Sequence, residues 1–85
     1  MIRRLTLDCV PEEGIALRVI GLVERRGFRL RKLGLTEVDG ENTTSIVMDL
    51  VPRDEGRKIE VLHEQLKRLV GVRAVSEAVV CVREG

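Results

Sequence analysis

The sequence predicts an α+β fold: four strands in one antiparallel sheet, with two helices packed on one face. Three observations predict it. Apolar and polar residues alternate from Ile2 to Cys9. Two later stretches carry apolar residues at helical spacing. Each of these runs into a glycine that leads to another strand, as Gly27-Phe28-Arg29 and again as Gly71-Val72-Arg73, a weak internal duplication. The resulting order is strand, helix, strand, strand, helix, strand.

In the first strand Leu5, Leu7 and Cys9 fall on one face and Arg4, Thr6 and Asp8 on the other, the period of a half-buried strand. Pro11 stops it, because proline cannot donate to a ladder. The first helix is expected over Glu13 to Arg26. Ile15, Val19, Leu22 and Val23 form its apolar stripe, widened by Ala16 and Ile20. Glu12 and Glu13 are expected at the positive end of its dipole and Arg25 and Arg26 at the negative end. Gly27 is the expected left-handed residue that closes it. Gly14 has two readings. It allows a sharp entry turn, or it lets a ligand reach the free N–H groups of the helix start, which favour a carboxylate.

The second strand, Phe28 to Val38, slips in phase: Phe28 and Leu30 share one parity, Leu33 and Leu35 the other. A bulge near Arg31–Lys32 would turn all four inward. Asp39-Gly40 signals a hairpin. The third strand, Thr43 to Val51, turns Ile46, Met48 and Leu50 inward, and Pro52 ends it. Asp54 is the expected N-cap of the second helix, over Glu55 to Val70. Ile59, Leu62, Leu66 and Leu69 form its stripe and Gly71 its stop. The last strand runs from Val72 to Val82, and Arg83-Glu84-Gly85 is expected to fray.

Two strand–helix–strand units interleave, under the right-handed crossover rule, into the ferredoxin-like βαββαβ sandwich with sheet order four-one-three-two. The second strand is then an edge, and an exposed edge invites pairing. Two copies joined there about a twofold axis would form an eight-stranded sheet; Phe28, Leu30, Arg31 and Leu33 are the expected dimer edge. Cys9 and Cys81 end antiparallel neighbours at opposite ends of the sheet. Seven residues of strand separate them by roughly 23 Å, so both are expected as small buried hydrophobes and not as a disulfide.

Composition narrows the function. Eighty-five residues are expected to form one domain, residues 1–85. A formal charge of +1 gives no basic field for a phosphate backbone, and Phe28 is the only aromatic residue, so nucleic acid is not an expected partner. The sequence has no signal-peptide pattern and no 18-residue apolar span, so no membrane association is expected and a reducing cytoplasm is the expected compartment. His63, the only histidine, flanks the second stripe without a second ligand and reads as a surface or boundary residue. Metal carriers of this fold hold a Cys-x-x-Cys in the first loop, and acylphosphatases of this fold an arginine; here that loop is VPEEG. Glu12 and Glu13 read as dipole-complementing carboxylates in preference to an acid/base pair. No catalytic residue, metal site or cofactor is expected in this chain. The outer face of the sheet carries Arg4, with Arg29 and Arg31 as candidates beside it. It is either a solvated face or a docking face for an acidic partner.

The run GIALRVIGLVERRGF, residues 14–28, resembles the first helix of ACT domains, and most of all that of the regulatory small subunit of acetolactate synthase. Gly14, Arg18, Val19, Ile20, Gly21, Leu22, Arg26, Gly27 and Phe28 match that family's Gly-x-x-x-Arg-Val-Ile-Gly-Leu and Arg-Gly-aromatic pattern. QLKRLVGV, residues 65–72, resembles its Gln-Leu-x-Lys-Leu-Val-x-Val segment. A single ACT domain without a C-terminal extension resembles the short, isozyme II type.

The resemblance implies a noncatalytic subunit that dimerises, binds the catalytic large subunit and raises its activity. Thiamine diphosphate, FAD and magnesium would belong to that partner. It also implies a branched-chain amino acid, valine, at the dimer interface, between the first loop and the neighbour's second strand. The implied effector site is Pro11, Glu12, Glu13, Gly14, Ile15 and Arg29. Family members that bind valine have asparagine where Pro11 and Arg29 stand. Proline offers no amide, and arginine accepts no hydrogen bond and repels an ammonium group. The site therefore reads as vestigial and valine feedback as weak or absent. The alternative is a free-standing ACT sensor that binds an amino acid at its own dimer interface.

Overall fold

The computed structural model describes residues 2–38, 40 and 42–80. In chain order the elements are β1 (Ile2–Cys9), α1 (Ile15–Arg25), β2 (Phe28–Val38), β3 (Thr43–Pro52), α2 (Ile59–Lys67) and β4 (Val72–Val80). The four strands form one antiparallel sheet in the order β2-β3-β1-β4, the expected four-one-three-two read from the other edge. Leu5, Leu7 and Cys9 of β1 and Ile46, Met48 and Leu50 of β3 are fully buried beneath the helices. They meet Ile15, Val19, Leu22 and Val23 of α1 and Ile59, Leu62 and Leu66 of α2, which close a single core.

The expected bulge is present. The β2–β3 register shifts between Leu30 and Lys32, and beyond it Leu33 and Leu35 stand opposite Met48 and Ile46. Phe28, Leu30, Leu33 and Leu35 therefore share the helix side of the sheet. Only Phe28 is fully covered; Leu33 and Leu35 remain 38% and 52% exposed, because β2 is the outermost strand.

The helix starts correct two expectations. α1 begins at Ile15, not Glu13, because Gly14 takes the N-cap position with φ 81°, outside helical geometry. Glu12 and Glu13 lie in the preceding turn, and the first turn of α1 holds no acidic residue. The Glu12 carboxylate instead accepts a hydrogen bond from Arg18 Nη2 at 2.7 Å, tying the loop to the second turn. α2 begins at Ile59, not Glu55, and its N-cap is Lys58. Asp54 closes a turn instead: its Oδ1 accepts from the Gly56 N–H at 3.0 Å, and its carbonyl from the Arg57 N–H at 3.3 Å. An aspartate bonded to the N–H two residues on makes such a turn in place of a helix cap.

α2 also ends early, at Lys67. Leu69 follows it only partly buried, so Gly71 does not stop the helix directly. Gly71 has φ 95° and lets the Val72 N–H reach back to the Leu69 carbonyl before β4 begins. Gly27 does close α1, with φ 83° and its N–H on the Glu24 carbonyl. Of the hairpin signal, Asp39 lies outside the described residues, while Gly40 has φ 80°. The end of the last strand at Val82, the tail Arg83-Glu84-Gly85 and Cys81, with its pairing, also lie outside them. Cys9 is buried and free, and pairs with Val72 at the start of β4.

Candidate functional site

The loop from Val10 to Gly14 is held from both sides. The Val10 N–H donates to the Gly71 carbonyl at 2.7 Å, and the Ile15 N–H to the Glu12 carbonyl at 3.2 Å. A Cβ on Gly71 would stand 3.0 Å from Ile15 Cδ1 and 3.3 Å from Glu12 Oε2. The segment after α2 and the loop before α1 therefore lie close together, and the φ of 95° at Gly71 favours glycine there.

Pro11, Glu12, Glu13, Gly14 and Ile15, the residues singled out in the sequence, all line one open cleft of about 390 Å³. Ala16 and Leu17 extend it along the first turn of α1, and Glu37 and Thr44 close it from the β2–β3 side. A neighbouring cavity of about 520 Å³ shares Pro11 and Glu37 and reaches Gly40, Asn42 and Thr43. The first backbone bond of the helix ladder runs from the Arg18 N–H to the Gly14 carbonyl, so the N–H groups of Ala16 and Leu17 precede the ladder. Ala16, Leu17 and Glu37 all line the cleft, which sets a helix start and an acidic residue beside one open space, a pairing suited to a small zwitterion.

Arg29 is not in this cleft. It pairs with Val51 at the far end of β2 and is exposed. Sequence reasoning missed Glu37 and Thr44. The signal was topological, since the strand order sets the β2–β3 hairpin end beside the end of β1 and so beside the first loop. Below the cleft, burial and then the Asp8 charge push the Cys9 thiol pKa up, keeping it protonated.

The outer face of the sheet holds the other notable polar group. Arg4 grips Asp49 through two hydrogen bonds, Nε to Oδ1 at 2.7 Å and Nη2 to Oδ2 at 3.1 Å. This fork holds the Asp49 carboxyl below its usual range, with Lys32 and Arg31 contributing charge. His63 is half-buried on α2, its Nδ1 3.9 Å from Glu77 Oε1. No group of three or more potential metal ligands occurs among the described residues, and no described helix is long and apolar enough to cross a membrane.

The geometry is thus a βαββαβ sandwich with an open cleft at its first loop. The family follows: residues 11–75 match the model of the ACT domain, and the chain belongs to that family, a class of regulatory, amino-acid-binding domains. Solved structures agree on the fold. The ACT domain from GTP pyrophosphokinase of Chlorobium tepidum superposes with a TM-score of 0.73 at 14% identity, covering 92% of this chain and 97% of that one. Formyltetrahydrofolate deformylase from Burkholderia mallei matches with a TM-score of 0.65 at 18% identity, over 92% of this chain and 27% of that one. A homoserine dehydrogenase from Thiobacillus denitrificans matches with a TM-score of 0.71 at 10% identity, over 89% of this chain and 16% of that one.

Proposed function

We propose that this chain is the regulatory small subunit of acetolactate synthase, binding and activating a catalytic large subunit in branched-chain amino acid biosynthesis in the cytoplasm. On this reading it is one noncatalytic ACT domain over residues 1–85. Thiamine diphosphate, FAD and magnesium belong to the partner. The observation that carries the reading is the joint match of residues 14–28 and 65–72 to that family's two segments. The geometry gives the matched residues consistent work. Gly14 and Gly27 take left-handed conformations at the two ends of α1, Arg18 ties the loop down, and Gly71 from the second segment packs on the loop before the first.

A homodimer through β2 is part of the proposal. β2 is an unpaired edge of eleven residues, and Leu33 and Leu35 are exposed beside it. In such a dimer Phe28, Leu30, Arg31 and Leu33 lie along the join. Proline at residue 11 and arginine at residue 29 support weak or absent valine feedback. The test is co-elution with the cognate catalytic subunit in gel filtration, and no complex at micromolar concentrations would sink the reading.

The open cleft favours a second reading, a free-standing amino-acid sensor. A thermal-shift screen across the amino acids separates the two. A ligand at 100 times its Kd adds about 2.7 kcal/mol. A shift with one amino acid, without affinity for the catalytic subunit, would favour the sensor.

A further inference from the structure

The bulge in β2 does more than turn Leu33 and Leu35 toward the helices. It sets two consecutive cations, Arg31 and Lys32, against the single residue Asp49 on the outer face of the sheet. Both contribute charge to that carboxylate, which the Arg4 fork already neutralises. Arg29 stands on the same strand just before the bulge, opposite Val51. Arg29, Arg31 and Lys32 are exposed, and among the described residues no carboxylate lies within ion-pairing distance of them. Arg4, Arg31 and Lys32 thus act on one carboxylate, with Arg29 further along the same strand, in a chain whose formal charge is only +1.

The rest of this face is low. Register places Thr6, Val47, Gly34 and Ser76 side by side across the four strands, and Ala78 beside Arg4. Arg73 lies across one end of the face, its Nη1 donating to Thr43 Oγ1 at 2.8 Å, and the row of short residues beside Arg4 stays open to a flat surface. The exposed leucines Leu33 and Leu35 belong to the helix side, so the outer face offers charge and backbone-level contact in place of a greasy patch. A nucleic acid is the poorer fit, because the sole aromatic residue, Phe28, is 2% exposed and cannot stack on a base.

We propose that this outer face, centred on Arg31 and Lys32, docks a carboxylate-rich surface of the catalytic subunit. The inference rests on the functional reading above. Four strands about 4.8 Å apart and roughly 27 Å long give about 500 Å² per chain, short of the roughly 800 Å² per partner of a stable interface. Two copies joined along β2 supply about twice that area. They also bring both cation groups to the middle of the joined sheet, where like charges repel until carboxylates arrive. Docking and dimerisation are then coupled.

The test uses the full chain and its cognate catalytic subunit. The triple variant Arg29→Glu/Arg31→Glu/Lys32→Glu is compared with Ala78→Glu, which sets a carboxylate on the same face at the opposite edge of the sheet, three strands from β2, and so leaves dimerisation alone. Circular dichroism and light scattering check fold and dimer. The wild type should bind at least tenfold more weakly at 300 mM than at 50 mM salt. The triple variant should lose at least 100-fold in affinity and Ala78→Glu about tenfold. Carbodiimide coupling should join Lys32 to an Asp or Glu of the subunit. A wild type that binds while both variants bind equally well overturns the docking face and leaves the functional reading intact. A wild type that fails to bind the subunit overturns that reading. In that case retention on immobilised poly-L-glutamate, lost in the triple variant, still supports a carboxylate-binding face, and no retention overturns it as well.

Discussion

Replacing Gly14 by alanine probes the point on which the geometry of the first loop turns. Gly14 has φ 81°, and a methyl group there would meet nothing within 4 Å. Steric contact with neighbours therefore contributes nothing, and the cost is conformational. An L-residue in the left-handed region lies about 1–2 kcal/mol above the right-handed one. Alanine also restricts the unfolded chain, but that gain outweighs the loss only where the native conformation suits it, and φ is positive here. We expect Gly14→Ala to destabilise the domain by about 1–2 kcal/mol, and Tm to fall by about 4–8 °C per kcal/mol for a chain of this size. Urea and thermal unfolding followed by circular dichroism measure both. Asparagine tolerates the left-handed region and is a strong N-cap, so Gly14→Asn should recover most of the loss. A Gly14→Ala protein as stable as wild type would refute the left-handed cap and return Glu13 to the helix.

The remaining predictions concern the core, the edge and the ion pair. Leu62 is fully buried, so Leu62→Ala should cost about 2–5 kcal/mol, whereas Leu17→Ala, at a position 75% exposed, should stay within about 0.5 kcal/mol in the same denaturation assay. Leu35→Glu should convert the proposed dimer to a monomer in light scattering at micromolar concentration, and a dimer unchanged by it would move the interface elsewhere. Asp49 is held below its usual pKa by Arg4, so its stabilising contribution is present above the ordinary carboxylate range and lost as pH falls through its folded-state value. Asp49→Asn should therefore flatten the acid limb of stability below about pH 5, where the paired carboxylate takes up its proton. An equally steep acid limb in the variant would contradict that role.

Periodicity made the architecture legible, and local competition hid its boundaries. The alternation of Leu5, Leu7 and Cys9, the stripe from Ile15 to Val23 and the phase slip at Arg31–Lys32 each report burial, which the chain order converts into one sheet topology. The helix starts were less legible. Glu13 and Glu55 are good helix formers, but nothing in their identity announces that Gly14 turns left-handed or that Asp54 bonds the Gly56 N–H. The same aspartate serves either as a helix cap or as a turn, and the chain around it decides. The loop half of the cleft, Pro11 to Ile15, was legible because it is contiguous. Glu37 and Thr44 reach it only through tertiary placement, and Arg29 lies at the other end of β2.

Acetolactate formation by the cognate catalytic subunit, measured with increasing amounts of this chain, decides whether the chain is its activating subunit. We expect a saturable rise in activity that millimolar valine leaves largely unchanged. A rate that stays at the level of the catalytic subunit alone, at any ratio of the two chains, would contradict it.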